Sequence, residues 1–349
     1  MRLYNLGKVP WHESQLIYHA LAELGWEALS LVSPATRYVC IGYHQDVTQE
    51  VDIDYCQSNA IPVFRRDLGG GGTYLDGNQL FFQVILRKDN PLVPGNKRAF
   101  YEKFLQPVID VHRRIGIPAE YKPINDVMSG ARKISGTGAG EIGDCIVFVG
   151  NLIVDFDYET MARVLRVPDE KFRDKVYKTL VENLSTIRRE LGEEAAAQWD
   201  EATLNDLMVE EFGELLGSME PHEKDNELQV KIDELGNRMI SDAWLYQKGK
   251  KVLGRDVKIR SGTHVIHKVH KAPGGLIRAD FGVGEGEFVT VSLSGDFFCF
   301  PEEAVGWLED KLEGKAVQDA RELVAALYSE KDIETPGIDV EDWMQVLKV

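Results

Sequence analysis

The stretch Arg65-Arg66-Asp67-Leu68-Gly69-Gly70-Gly71-Gly72-Thr73-Tyr74-Leu75-Asp76-Gly77-Asn78 decides how the rest of the chain is read. Ile61-Pro62-Val63-Phe64 before it has strand character, and an apolar run from Leu80 to Leu86 follows it. Four consecutive glycines lose more backbone entropy on folding than other residues would, so they are a costly connector. The usual compensation is that bare backbone meets a ligand. Free N–H groups of such a loop cradle anions, and the two arginines add charge that is always present. A flexible hairpin loop is the alternative, and the Arg-Arg prefix and Tyr-x-Asp suffix favour the ligand loop. The loop lacks the Lys-Ser/Thr end of a P-loop. It runs from strand to strand, which also excludes the strand-to-helix turn of a Rossmann site. Tyr74 offers an aromatic wall.

The 349 residues suit two domains, and the composition is globular, 44% hydrophobic and 28% charged. A net charge of −17 argues against a broad surface for nucleic acid or anionic membrane, so an anionic ligand needs a local basic site. Cys40, Cys56, Cys145 and Cys299 are widely spaced without a C-x-x-C pair, which predicts free, mostly buried thiols. No signal-peptide pattern opens the chain, and no apolar run reaches the ~18 residues of a membrane span. A cytoplasmic protein is expected.

Taken in order, residues 12–25 have the apolar spacing of a helix ending at Gly25. Residues 37–44 read as a strand leading into a loop at 42–46. A Pro/Gly-rich connector at 89–96 precedes a helix near 97–115. Strand-like pieces follow at Asn125–Met128, Arg132–Gly136 and from Cys145 to Val154. Residues 158–218 are helical and acidic, and 219–227 read as a polar surface connection. After Gln247 the composition changes to alternating strands over 250–298 and three short helices at 301–313, 316–328 and 340–348. The pattern predicts an α/β (α+β) chain: a mixed-sheet catalytic domain over 1–246 and a small α+β domain over 247–349.

Three further constellations bear on chemistry. Asn125-Asp126 precedes Arg132-Lys133-Ile134-Ser135-Gly136. A lysine fixed between strand and glycine turn is a compact point charge suited to a carboxylate or phosphate. His264, His267 and His270 stand near Lys258, Arg260, Lys268 and Lys271. On a strand His267 points away from the other two, which defeats a three-ligand metal site and leaves a solvated basic strand. Cys145 opens a buried strand, a structural rather than nucleophilic setting.

These motifs together resemble the lipoate–protein ligases of the biotin/lipoate ligase superfamily. The order is Ile41-Gly42-x-x-Gln45, Arg65-Arg66-x-x-Gly-Gly-Gly with Tyr74-x-Asp76, Asn125-Asp126, Arg132-Lys133-Ile134-Ser135-Gly136, and Val149-Gly150-x-Leu-Ile-Val-Asp. The segment Val291-Ser-Leu-Ser-Gly295-Asp296-Phe297-Phe298 with Pro301-Glu302-Glu303 resembles the accessory domain of these ligases. The resemblance implies a fused enzyme that joins lipoate to ATP, releasing pyrophosphate. It then passes the lipoyl group to a lysine of an acceptor protein. Implied acceptors are the lipoyl domains of 2-oxoacid dehydrogenase E2 subunits and the glycine-cleavage H protein or an H-like lipoate-binding protein. Implied adenylate-binding residues are Arg65, Arg66, Gly70, Gly71, Gly72, Thr73, Tyr74, Asp76, Asn125, Asp126, Lys133, Ser135, Gly136 and Gly150. Lys133 is the implied catalytic residue, and Asp126 an implied ligand of Mg²⁺.

Two positions depart from the family. Leu75 stands where many members have His before the loop aspartate, with one residue fewer before Gly77-Asn78. Val149-Gly150 stands where many have His-Gly. Both make the lipoyl-facing region more apolar. The competing expectations are an octanoyl or lipoyl transferase of the same superfamily, which needs no ATP and often uses a cysteine, and a non-catalytic lipoyl- or biotin-binding module.

Overall fold

The computed structural model describes residues 1–248, 264–330 and 333–349. Lys258 and Arg260, part of the basic strand expected from sequence, lie outside the described residues. The chain forms two compact units. The first comprises residues 1–40, 51–64 and 73–240, the second 41–50, 65–72 and 241–349.

The first unit is built on a six-stranded mixed sheet. Its strand order is Thr137–Ile142, Cys145–Ile153, Gln79–Arg87, Ala28–Pro34, Arg2–Val9, Glu220–Pro221. Arg2–Val9 runs parallel to both of its neighbours, and the other pairings are antiparallel. The residues 219–227, expected as a surface connection, thus supply the last strand, with Arg2 opposite Glu220 and Leu3 opposite Pro221. Ala28–Pro34 is buried at every position, so it carries no in–out alternation. Phe82, Phe148, Phe100, Phe104 and Phe212 pack on the sheet in one core. The predicted N-terminal helix is Glu13–Glu23. The helix expected near 97–115 is two helices, Lys97–Phe104 and Gln106–Arg114, parted at Leu105. Pro107 explains the break, because it has no N–H for a helix bond and its ring crowds the preceding turn.

Two smaller sheets carry the motifs. Tyr38–Ile41 lies between Val63–Arg65 and Thr73–Leu75, the strands that enter and leave the glycine loop. Asp126–Ser129 lies between Ala119–Lys122 and Arg132–Ser135.

Among the described residues the second unit has the antiparallel sheet His264–Ala272, Gly275–Gly284, Glu287–Gly295, followed by the helices Ala304–Leu312, Ala320–Glu330 and Val340–Leu347. Its own core includes Phe281, Phe288, Phe297 and Trp343. His264–Ala272 is a strand, as expected. His267 pairs with Asp280 and His270 with Asp342, so the two point to different partners. Among the described residues no group of three or more His, Cys, Asp or Glu is arranged to hold a metal ion. No helix among them is long and apolar enough to cross a membrane.

Candidate active site

Within the first unit, strand pairing brings the two basic-site motifs together. Asp126 opens the strand Asp126–Ser129, and Lys133 lies on its antiparallel neighbour Arg132–Ser135, opposite Met128. A register shift between Val127 and Met128 bends this pair. Lys133 Nζ sits 2.6 Å from Asp126 Oδ1, and the two side chains are 34% and 28% exposed. That exposure leaves the ammonium accessible while one of its three N–H donors is directed by the carboxylate. The strand position of Lys133 is anchored from behind, because its carbonyl accepts a bond from Ser185 N at 2.8 Å.

The turn after Lys133 is equally held. Asn125 Nδ2 donates to the Thr137 carbonyl at 2.5 Å and Thr137 Oγ1 donates to the Asn125 carbonyl at 2.6 Å. Ser135 is buried and donates to the Asn151 carbonyl at 2.6 Å. Gly136 N donates to Asn151 Oδ1 at 3.0 Å. A Cβ on Gly150 would lie 2.3 Å from Phe82 Cζ and 2.8 Å from the Gly136 carbonyl, so this glycine permits close packing of the sheet beside the turn.

The strand Thr73–Leu75 holds Tyr74 with its ring edge-on to Phe156. Burial, then Asp76 and Asp157, pushes the Tyr74 hydroxyl up to about 12, while Arg37 opposes. Burial likewise raises the Asp76 carboxyl, which accepts from Asn78 N at 2.9 Å. Leu75 is buried. Thr73 and Asp76 are half-buried.

The rest of the glycine stretch belongs to the second unit, and here the structure narrows the expectation of an anion cradle. Arg65 is wholly buried. Its guanidinium donates to the carbonyls of Gly42 (3.2 Å), Tyr43 (2.7 Å) and Gln45 (2.6 Å), and twice to that of Leu245 (3.1 and 2.7 Å). Those bonds turn it into backbone rather than toward a ligand. Gly70 adopts φ +89° and its N–H donates to the Phe297 carbonyl at 2.9 Å. A Cβ on Gly69 would meet that carbonyl at 2.5 Å, and one on Gly70 would meet Phe298 Cζ at 2.9 Å. Both positions therefore need glycine for a protein segment. Gly71 is exposed and Gly72 half-buried. Arg66 Nη2 donates to the carbonyls of Gly69 (2.7 Å) and Gly71 (3.0 Å), which curls the loop around its guanidinium.

Cys145 is buried, and burial pushes its thiol up, disfavouring the thiolate. The sequence reading missed Gln79 and Asn151, two buried amides within otherwise apolar strands.

A mixed α/β sheet unit with a partly exposed lysine–aspartate pair beside the Gly136 turn is an arrangement able to hold an anionic ligand. The comparisons narrow it. Residues 12–213 match the family model of the lipoyl protein ligase A/B catalytic domain, more than half of the chain, and the protein belongs to that family. It is similar to "Lipoate-protein ligase A subunit 1" of Thermoplasma acidophilum, 33% identical over 43% of this chain, and spans 60% of that relative's length. A solved structure of a bi-partite lipoate protein ligase and its E2 lipoyl domain, also from Thermoplasma acidophilum, superposes with TM-score 0.62 and 25% identity. It covers 72% of this chain and 98% of that one. LipL1 of P. falciparum, solved with lipoate, shares the fold at TM-score 0.72 over 95% of both chains, with 15% identity.

Proposed function

We propose that this protein is an ATP-dependent lipoate–protein ligase, with catalysis in residues 1–246 and residues 247–349 as its accessory domain. The observation that carries this reading is the Lys133–Asp126 pair, assembled from two separate motifs and left partly exposed within the family's catalytic domain.

Adenylation brings a lipoate carboxylate against the α-phosphate of ATP, two anions that repel. Lys133 lies at the meeting point and stabilises the charge that builds on both, while Asp126 fixes the direction of its ammonium. Arg66 and the backbone of Gly71 and Gly72 bind the nucleotide, with Gly70, Arg65 and Gly150 shaping the backbone. Thr73, Tyr74, Asp76, Asn125, Ser135 and Gly136 hold the strands on which these groups sit. Asp126 with Asn125 would hold Mg²⁺. A single carboxylate suits an ion that arrives on a nucleotide, since Mg²⁺ keeps waters and binds one or two carboxylates plus phosphates. Its chemistry there is charge neutralisation at the phosphates.

In the second half-reaction the mixed anhydride is already activated, and the enzyme mainly positions the incoming lysine amine. That amine, with an ordinary pKa of about 10.4, must shed its proton, which desolvation beside a cationic lysine favours. The acceptors are lipoyl domains of 2-oxoacid dehydrogenase E2 subunits or a glycine-cleavage H or H-like protein. The E2 lipoyl domain paired with the Thermoplasma ligase supports the first class.

The test is lipoate-dependent exchange of pyrophosphate into ATP, followed by intact mass of acceptor panels incubated with ATP and lipoate. Exchange and an acceptor mass gain of one lipoyl group support the ligase. Acyl transfer from a carrier protein without exchange, abolished by Cys145→Ser, would establish the transferase instead.

A further inference from the structure

We propose that Gln79 and Asn151 act as one positioning unit for the adenylation step. They form a buried two-amide relay that locks the turn carrying Lys133 to the strand leaving the glycine loop. The proposal rests on the reading of Lys133 as the group that stabilises the reacting anions.

The relay runs in one direction. Gly136 N donates to Asn151 Oδ1 at 3.0 Å, Asn151 Nδ2 donates to Gln79 Oε1 at 2.8 Å, and Gln79 Nε2 donates to the Tyr74 carbonyl at 3.2 Å. It begins on a backbone N–H and ends on a backbone carbonyl. Each link must therefore accept at one end and donate at the other, which among uncharged side chains of this reach only an amide does through rigid, separate atoms. Both side chains are buried, Gln79 at 0% and Asn151 at 8% exposure, where an unmatched polar atom is costly and a matched one fixes geometry. They stand on adjacent, antiparallel strands of the central sheet, Gln79–Arg87 and Cys145–Ile153. Ser135 adds a second tie to the Asn151 backbone.

The link to Lys133 is direct. Its Cε lies 3.7 Å from where a Gly136 Cβ would stand, so the lysine stem rests over the glycine that the relay holds. Moving Gly136 moves the floor beneath the ammonium. At the other end, the Tyr74 carbonyl lies on the short strand through which the glycine loop returns to the sheet. Two motifs far apart in sequence are thus fixed to each other by side chains belonging to neither.

The experiment compares Asn151→Leu, Gln79→Met and the double variant with the wild type. Each single change nearly keeps the size of the side chain and removes one amide from the relay without adding a charge. The proposal predicts that kcat for lipoate-dependent pyrophosphate exchange falls about 10²-fold, the cost of a misplaced catalytic group, with KM for ATP within about twofold. The double variant falls no further than the worse single, because a broken relay is broken once. In parallel, acylation of Lys133 by N-hydroxysuccinimidyl acetate is read by peptide mass against exposed Lys175. Its relative rate changes in each variant if the relay positions Lys133. A lowered melting temperature with unchanged kcat and unchanged Lys133 labelling would reduce the pair to a structural role and overturn the proposal. If the wild type shows no exchange, the ligase reading fails, and the labelling alone decides: altered Lys133 reactivity supports the relay, unaltered reactivity ends it.

Discussion

Replacing Arg65 separates two roles that its sequence position confounds. As an adenylate ligand its loss would weaken ATP binding and leave the fold alone. As the structure has it, five donations run from one buried guanidinium to four backbone carbonyls, those of Gly42, Tyr43, Gln45 and Leu245. Trp244 Nε1 closes the arrangement by donating to the Arg65 carbonyl at 3.0 Å. Arg65→Met keeps the length of the side chain and removes every donor. The Gln45 carbonyl, in a buried residue, depends on this bond, whereas the buried Gly42 carbonyl also accepts from Gln45 N at 3.2 Å. At about 1–3 kcal/mol for a buried acceptor left unpaired, the change costs roughly 2 kcal/mol. Residues 41–50, 65–72 and 241–349 form one compact unit, and for a body of that size roughly 3–4 °C of melting temperature goes with each kcal/mol. The expected fall is about 6–8 °C for the transition of that unit, measured by scanning calorimetry without nucleotide. Arg65→Lys keeps the charge but replaces the planar fork, so it falls between the two. A variant that melts within about 1 °C of wild type while losing ATP binding would refute the clamp and restore Arg65 to the ligand.

Other expectations follow from the same geometry. Lys133→Ala should lower pyrophosphate exchange about 10²–10³-fold while shifting the melting temperature little, because a partly exposed ion pair contributes only about 0–1 kcal/mol; undiminished exchange removes Lys133 from the mechanism. Gly70→Ala forces a Cβ into a φ of +89° and to 2.9 Å from Phe298 Cζ, costing at least about 1–2 kcal/mol from the left-handed backbone alone, readable as a lower denaturant midpoint. Cys145→Ser should leave lipoylation of an acceptor intact by mass, and the wild-type thiol should resist iodoacetamide at neutral pH, as its raised pKa requires. His112 is fully buried, donates from Nδ1 to the Val108 carbonyl, and is held by desolvation down to about 4. The unfolded chain takes up a proton near pH 6.5 that the folded chain refuses, so stability is complete above pH 6.5 and drains away as pH falls toward 4. The full loss is on the order of 3 kcal/mol, and chemical denaturation across that window should show it flattened in His112→Leu.

The legible parts of the chain were those where one local signal dominates. Leu16, Ile17, Ala20 and Leu21 mark Glu13–Glu23 by spacing alone, and the run from Cys145 needs only its apolar length. Asn226–Met239 carried an equally good signal, with Leu228, Ile232, Leu235 and Met239 all buried on one face, and the polar flank at 219–227 obscured it. Glu220–Pro221 could not be read, since a two-residue strand is defined by its partner Arg2–Val9 and has no pattern of its own. The Lys133–Asp126 pair was foreshadowed by its motifs, whereas the relay was not. Gln79 and Asn151 appear in sequence as single polar interruptions of apolar strands, a signal that asks what each amide bonds but cannot answer it.

The glycine stretch shows how a sound inference reaches a different object. Four glycines in a row imply that something lies against bare backbone, and at Gly69 and Gly70 something does. It is the chain itself: the Phe297 carbonyl, which takes the Gly70 N–H, and the Phe298 ring, against which no Cβ would fit. The same reasoning covers Gly42, where a Cβ would fall 2.0 Å from the Gly70 carbonyl. Entropy explains why glycine stands at these places but does not distinguish a phosphate from a peptide as the neighbour. The distinction comes from the donors. A backbone N–H already paired to a carbonyl adds nothing to an anion, so the proposed cradle contracts to Gly71 and Gly72, with Arg66 as its charge. A loop whose first half is fastened by Arg65, Gly69 and Gly70 presents its second half already ordered. The entropy of fixing Gly69 and Gly70 is then lost on folding rather than on binding, and a nucleotide bound as proposed would meet a loop already partly fixed.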